Sequence, residues 1–394
     1  MYNANAYALG AKRSCIQDLF EYGRARAAIV GPENVYDYSI GNPSIPAPPQ
    51  VDETIRAVLA DTDSLEVHGY TSSDGDAATR QAIAEDLNAR YDAGARAEDL
   101  FIGSGTSPEL VAVFRALTVP GAEFLTIAPF FPEYRPWVET AGARLQVVPP
   151  DMPGFQVKLE AVEAMLTENT VAVIVNSPNN PAGTVYARKT LEDLSSLLTR
   201  KSEEFGHPIY IVADEPYREL VYDGVEVPFI PTIYPNTIVC YSYSKSLSLP
   251  GERIGYVYVP ENAADSKALY AAIAGAARGA GHVCAPSLWQ KVIARCTGLR
   301  PDLEAYDKNR KALYQALQSY GYEVAKPDGA FYLFIKAPGG SSKAFSDKAK
   351  EKDLLLVPGD DFGCPEYFRI CYCVSYDMIQ RSLPAFEALI KEYQ

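Results

Sequence analysis

The chain has 394 residues, of which 47% are hydrophobic, and a formal net charge of −14 at pH 7. This length favours two domains over one core. The acidic balance argues against a nucleic-acid partner, because phosphate backbones are bound by clustered Lys and Arg. With three histidines and no C-x-x-C pair, we expect no metal site.

Cysteine usage and hydropathy indicate the compartment. Seven cysteines, an odd number, favour reduced thiols and a cytoplasmic location over a disulfide scaffold. Residues 1–10 lack the apolar segment of a signal peptide, so we expect none. No apolar run approaches about 20 residues, and we expect no membrane-spanning helix.

The first predicted elements alternate between strand and helix. The proline-rich residues 46–49 mark a rigid crossing from an N-terminal arm into the main domain. Short β-branched runs at 172–175, 208–212 and 237–241 predict strands, and leucines at helical spacing predict a helix over 189–205. This order is typical of βαβ units and a mostly parallel sheet.

The pattern changes in the last quarter of the chain. The predicted elements are a long helix over 301–320, an apolar run over 329–335, a helix over 342–351, an apolar segment over 354–359, a strand over 367–372 and a final helix. They indicate a smaller α+β domain. We therefore predict an N-terminal arm and part of the small domain in 1–45, a large cofactor-binding domain in 46–290 and a small C-terminal domain in 291–394.

Polar side chains follow three of the predicted strands directly. These are residues 176–180, Asp214 and residues 242–245. Ligand groups in parallel sheets come from the carboxyl ends of the strands. The shared placement predicts that the three segments form one site.

Lys245 lies in the run Ser-Tyr-Ser-Lys-Ser-Leu-Ser-Leu-Pro-Gly-Glu-Arg, which extends from Ser242 to Arg253. A lysine amine forms imines, an acid such as Asp214 can keep a ring nitrogen protonated, and hydroxyls with an arginine suit a phosphate. Together these groups indicate pyridoxal 5′-phosphate as the cofactor. A solvated surface lysine is the alternative for Lys245 alone, but the motif around it disfavours that alternative.

Further motifs occur in the order of a known family, from Gly41 to Arg369. They are Gly-Asn-Pro at 41–43, Gly-Tyr-Thr at 69–71, Gly-Ser-Gly-Thr-Ser-Pro-Glu at 103–109, Pro-Phe-Phe-Pro-Glu-Tyr at 129–134 and Ser-Pro-Asn-Asn-Pro-Ala-Gly at 177–183. With them, the chain resembles a class I/II aminotransferase of the fold type I pyridoxal-phosphate enzymes. The resemblance implies an α/β fold, with a large domain whose mostly parallel sheet is flanked by helices, and a smaller α+β domain.

The resemblance also implies catalytic roles. Lys245 would form the aldimine with the cofactor and then move the proton at Cα. Asp214 would pair with the pyridine nitrogen, and Tyr217 and Asn180 would bond the cofactor's 3′ oxygen. Asn179 is the weaker of the two asparagines, because the family's residue directly precedes the second proline.

The remaining cofactor contacts are implied in the same way. The phosphate would be bound by Gly105, Thr106, Ser107, Ser242 and Arg253, with Ser244 as a lesser candidate. The small-residue turn before a helix supports this, since a helix N-terminus offers free N–H groups. Phe131 would stack on the cofactor ring. Tyr70 resembles the tyrosine that reaches the phosphate of the neighbouring subunit, which implies a homodimer with shared active sites.

Substrate recognition is expected to depend on Arg369, Gly41 and Asn180. Arg369 lies in an apolar strand, where a bidentate partner such as an α-carboxylate would satisfy it. Gly41 matches a backbone position that touches the same carboxylate. Arg278 is only a loose candidate for binding a second, distal carboxylate, and Phe331 with Tyr332 would equally suit an aromatic side chain.

The implied activity is transfer of an amino group between an L-amino acid and a 2-oxo acid by a ping-pong mechanism. A lyase on the same fold, such as a cysteine-conjugate β-eliminase or an aspartate 4-decarboxylase, is the alternative, because both begin with the same covalent substrate complex. A cofactor-binding regulator is disfavoured, since no basic helix-turn-helix extension is present.

Overall fold

The computed structural model describes residues 1–11 and 14–394. In this part of the chain the α-helices are Ala4–Ala11 (α1), Cys15–Val30 (α2), Pro49–Asp61 (α3), Ser64–His68 (α4), Ala77–Tyr91 (α5), Thr106–Leu117 (α6), Tyr134–Ala141 (α7), Leu159–Met165 (α8), Arg188–Phe205 (α9), Tyr243–Ser246 (α10), Ser266–Gly279 (α11), Ser287–Cys296 (α12), Leu303–Tyr320 (α13), Ser342–Ala349 (α14) and Tyr376–Ile390 (α15). The strands are Tyr36–Asp37 (β1), Leu100–Gly103 (β2), Glu123–Ile127 (β3), Arg144–Val148 (β4), Thr170–Asn176 (β5), Tyr210–Asp214 (β6), Thr237–Ser242 (β7), Gly255–Tyr258 (β8), Tyr332–Lys336 (β9), Leu354–Leu355 (β10), Val357–Pro358 (β11) and Tyr367–Cys371 (β12). Within these same residues, none of the helices combines the length and the apolar character needed to cross a membrane.

The large sheet has seven strands in the order β2-β8-β7-β6-β5-β3-β4. Strand β8 runs antiparallel to both of its neighbours, and the other pairs are parallel. Successive residues of β5 and β6 enter two different hydrophobic cores, because helices cover both faces of the sheet. Helices α6, α7 and α11 cover one face, while α3, α5, α9 and α12 cover the other. The predicted fold class, with a mostly parallel sheet flanked by helices, is confirmed.

A second, antiparallel sheet has the order β11-β12-β9. It shares a core with α13, α14 and α15. Strand β1 pairs in parallel with β10, so the N-terminal segment joins this C-terminal region. The apolar segment 354–359 therefore supplies two short strands to two different sheets, since β11 pairs with β12.

The predicted elements match the observed ones closely in type. The helix predicted over 189–205 is α9, and the helix predicted over 301–320 is α13. The predicted domain boundary at 290/291 falls inside α12, which packs on α3 and α5 beside the large sheet. The division into domains remains a prediction.

Candidate active site

A cavity of about 390 Å³ opens at the carboxyl ends of the parallel strands. Strand β5 ends at Asn176, β6 at Asp214 and β7 at Ser242, and all three residues line the cavity. Asn176 lies directly opposite Asp214 in the sheet register. The three segments predicted to meet at one site therefore do so, because parallel strands end at the same edge of the sheet.

Lys245 lies in the single turn α10 that follows β7. Its Nζ donates a hydrogen bond of 2.7 Å to the carbonyl oxygen of Gly41, and it lies 5.5 Å from the centre of the Phe331 ring. Burial lowers the pKa of Lys245 to about 8, and the positive charges of Arg253 and Arg369 act in the same direction. A larger fraction of this amine is therefore neutral near pH 7 than in an exposed lysine, as a nucleophile or a base requires.

Asp214 is buried at the end of β6 and has one hydrogen-bonded and one free oxygen. Its Oδ2 accepts a hydrogen bond from the hydroxyl of Tyr134, whereas Oδ1 is buried without any partner among residues 1–11 and 14–394. Burial raises the pKa of Asp214 to about 7, although the Tyr134 bond opposes the shift. Burial and the neighbouring Asp214 also raise the pKa of Tyr134, so the phenol keeps its proton and donates it. A positive group placed against Oδ1 would stabilise the ionised carboxylate.

The N-terminus of α6 forms another wall of the cavity. Within the part of the chain that the structure describes, no side chain caps this helix, so its first N–H groups are free, and the buried Oγ1 of Thr106 has no hydrogen-bond partner. Gly105 precedes the helix with φ 92°, and a Cβ there would lie 2.9 Å from a terminal nitrogen of Arg253. Glycine therefore lets the guanidinium lie directly over the helix start. Ser107, Ser242 and Ser244 line the same cavity.

Arg369 extends from β12 and is only 2% exposed. One terminal nitrogen donates to Asn180 Oδ1 at 3.0 Å and the other to the Ser39 carbonyl oxygen at 2.5 Å. Its Nε is buried and has no partner among the described residues. Asn180 is itself held, since its backbone N–H donates to Asn176 Oδ1 at 2.7 Å. Arg369 therefore has fixed orientation and unused donor capacity, which suits the carboxylate of a small molecule.

Aromatic side chains complete the lining of the cavity. The hydroxyls of Tyr217 and Tyr332 form a hydrogen bond of 2.9 Å. Phe131 lines the cavity and makes an edge contact with Trp137, with ring centres 5.9 Å apart. Gly41 packs so closely against the Tyr332 hydroxyl that a Cβ at this position would overlap it.

Three residues considered in the sequence analysis lie outside this cavity or turn away from it. Tyr70 is 88% exposed and lines a separate surface pocket with Leu65. Arg278 lines another cavity with Phe101. Asn179 has a local structural role, because its amide donates to the Pro129 carbonyl oxygen and its Oδ1 accepts from the N–H of Ala182.

Sequence reasoning gave no role to several residues that shape the site. Tyr134 bonds Asp214 from 80 positions away, and Asn176 bonds both the Asp214 carbonyl oxygen and the Asn180 N–H. Glu109 lies buried under the α6 N-terminus, and burial raises its pKa well above the usual range. Tyr134 belongs to the motif at 129–134, Glu109 to the motif at 103–109, and Asn176 to the polar segment after a predicted strand. Their partners are revealed only by the three-dimensional contacts.

The strand order of the large sheet and a site at the carboxyl ends of β5, β6 and β7 are those of the fold type I architecture. A sequence profile of the family described as "Aminotransferase class I and II" matches residues 33–386. The chain therefore belongs to the class I and II aminotransferase family, and it is an aminotransferase.

Similar proteins cover nearly the whole chain. A crystal structure of an aminotransferase from Eubacterium rectale is 55% identical, with a TM-score of 0.98, and the match covers 100% of this chain and 99% of the other. An aspartate aminotransferase from Thermotoga maritima is 30% identical over 92% of this chain and 93% of its own. A probable N-acetyl-LL-diaminopimelate aminotransferase from Bacillus subtilis is 30% identical over 91% of this chain and 90% of its own. These proteins are named transaminases, and nothing in the comparisons favours the lyase alternative.

Proposed function

We propose that this aminotransferase uses pyridoxal 5′-phosphate to transfer the amino group of an L-amino acid to a 2-oxo acid in a ping-pong reaction. The observation that carries the proposal is a set of buried polar atoms that have no partners among the described residues and whose side chains line the same cavity as Lys245. They are Asp214 Oδ1, Thr106 Oγ1 and Arg369 Nε, and their residues all line one cavity. Buried polar groups are nearly always paired, so three orphans at one cavity support a bound ligand.

The residues present fit the cofactor. Asp214 would hold the pyridine nitrogen, and Thr106, Ser107, Ser242 and Arg253 with the N-terminus of α6 would hold the phosphate. Tyr217 and Asn180 would bond the 3′ oxygen, and Phe131 would contact a ring face. When bound, the cofactor supplies an aldehyde that condenses with amines and a protonated ring that stabilises negative charge at the substrate Cα.

The chain's own side chains then have separate tasks. Lys245, with its lowered pKa, would be the base that takes the proton from the substrate Cα and the acid that delivers it to the C4′ carbon of the cofactor. Arg369, held by Asn180 and Ser39, binds the α-carboxylate of donor and acceptor alike. Gly41 accepts the hydrogen bond that positions the Lys245 amine beside this carboxylate site.

A spectroscopic screen tests the proposal. Amino acids are added singly to the holoenzyme without an oxo acid, and the absorbance of the cofactor is followed. Conversion to the amine form, reversed by a 2-oxo acid, is the expected result. Release of pyruvate and ammonia without an acceptor would instead establish lyase chemistry.

Replacing Arg369 with alanine is expected to weaken every donor. The loss should be about 2–5 kcal/mol in kcat/KM, as is typical when one member of a buried charge pair is removed. Arg369→Lys should also lose activity, because lysine lacks the planar fork. The measurement is kcat/KM for five donors, with the exposed Arg115→Ala on α6 as the control. A loss confined to some donors would show that Arg369 does not bind the group common to all of them.

We further propose a homodimer in which Tyr70 completes the phosphate site of the partner subunit. Tyr70 and Leu65 are 88% and 85% exposed in the single chain and line one surface pocket, which supports burial against a second copy. We also propose a cytoplasmic location, which the free cysteines support. The proposed division into domains at 1–45, 46–290 and 291–394 is supported by the two separate sheets.

Removal of the Tyr70 hydroxyl tests the shared site. Tyr70→Phe should leave sedimentation as a dimer unchanged but weaken cofactor binding roughly 10- to 100-fold, the loss of one hydrogen bond to a charged group. Tyr2→Phe, also strongly exposed, is the matched control. A fully active monomer in sedimentation would exclude the shared site.

A further inference from the structure

One end of the cavity is not used by the proposed cofactor or by the α-carboxylate. Among the described residues, the cations that line the cavity are Lys245, Arg253 and Arg369, and each already has a role. Lining residues without such a role include Ile16, Ile40, Leu110, Glu133 and Trp137, which we call the remaining wall. We expect the substrate side chain to lie against this wall, because Asp214 and Arg369 would fix where the ring and the carboxylate lie.

Glu133 is the charged residue of this wall. It occupies the position before α7 but makes no capping bond, and no hydrogen bond or ion pair engages its carboxylate within residues 1–11 and 14–394. The nearest cation in sequence, Arg135, pairs with Glu139 on the outer surface of α7. Burial and the negative charge of Asp361 raise the pKa of Glu133. Among the described residues, the charge that acts on Glu133 is thus that of a second carboxylate.

Trp137 lies one helical turn after Glu133 and lines the same cavity. Its ring is braced by the edge contact with Phe131. A carboxylate beside an indole favours a cation, by charge pairing and by cation–π attraction. The apolar Ile16 and Ile40 nearby suit an aliphatic stem.

We propose that Glu133 selects amino donors whose aliphatic side chain ends in an ammonium group, such as L-lysine and L-ornithine, and disfavours donors with a distal carboxylate. The inference rests on the proposed transamination at this site. In that reaction the α-amino group of the donor passes to the 2-oxo acid acceptor, and the donor leaves as its 2-oxo acid. The terminal ammonium is unchanged and serves only for recognition.

Equilibrium binding to the pyridoxamine form of the holoenzyme, which has no aldehyde to condense with an amine, tests the charge preference without turnover. The probes are 6-aminohexanoate, hexanoate and adipate, which share a six-carbon chain and one carboxylate for Arg369. We expect 6-aminohexanoate to bind about fivefold more tightly than hexanoate, the effect of one part-exposed ion pair, and adipate to bind most weakly. Glu133→Gln should remove the preference, and Glu139→Gln, on the same helix, should keep it. Tightest binding of adipate would overturn the proposal and point to a cation from a second subunit.

Donor kinetics separate this proposal from the proposed function. L-lysine, L-norleucine and L-2-aminoadipate are compared by kcat/KM, and the lysine-to-norleucine ratio should fall to about one in Glu133→Gln. If none of the donors, norleucine included, converts the cofactor to its amine form, the proposed transamination fails. If norleucine or aminoadipate reacts as well as lysine in the unaltered enzyme, transamination stands and the role of Glu133 is wrong.

Discussion

Lys245→Ala should abolish transamination and the covalent link between protein and cofactor. The only amine that reaches the cavity between Gly41 and Phe331, among the residues described, is that of Lys245. A positioned general base alone contributes about 10²- to 10⁴-fold, and the variant loses the nucleophile as well. We therefore expect kcat to fall by at least about four powers of ten, or roughly 5.4 kcal/mol of barrier.

The measurement combines steady-state turnover with borohydride reduction and peptide mapping. In the unaltered enzyme, reduction should fix the cofactor to the peptide that contains Lys245. The exposed Lys267→Ala on α11 is the matched control and should behave like the parent. A Lys245→Ala protein that still turned over normally, or was still labelled by reduction, would show that another amine has this role.

Much of the fold could be predicted because local pattern and burial agree. The β-branched runs that became β5, β6 and β7 are buried on both faces, which is why they are continuous rather than alternating in hydrophobicity. Polar residues placed directly after these runs then had to meet at one sheet edge. The sequence did not indicate that β8 runs antiparallel to its neighbours, because Gly255–Tyr258 has the same apolar pattern as the other buried strands.

The position of a residue at the cavity was predictable where it follows from the residue's own motif. Lys245 and Asp214 follow strands and line the cavity as expected. The Tyr134 bond to Asp214 depends instead on how α7 packs beneath the sheet, and the Arg369 bond to Asn180 joins residues 189 positions apart. Glu133 belongs to the motif at 129–134, but the sequence could not show that its carboxylate has no partner among the described residues.

Asp214→Asn tests the second large effect, that of the carboxylate proposed to pair with the ring nitrogen of the cofactor. Asparagine preserves the size of the side chain but removes the negative charge that would keep a ring nitrogen protonated. Because the stabilisation of charge at Cα depends on that proton, we expect removal of the Cα proton to slow by two to three powers of ten, about 2.7–4 kcal/mol. Asp214→Ala should be slower still, since it also leaves the Tyr134 hydroxyl without its acceptor.

The rate of a single turnover with one donor, measured by the absorbance of the cofactor, isolates this step from product release. Cofactor binding should remain, because under the proposal the phosphate would be held by Thr106, Arg253 and the N-terminus of α6 rather than by Asp214. Tyr134→Phe should give a smaller loss, since the charge is retained and only one hydrogen bond to it is removed.

Asp52→Asn, which alters an exposed carboxylate in the first turn of α3, is the control. If the charge of Asp214 supports the reaction, the single-turnover rate should fall least in Asp52→Asn, more in Tyr134→Phe and most in Asp214→Asn. Equal rates for Asp214→Asn and the parent would mean that the ring nitrogen takes its proton from elsewhere.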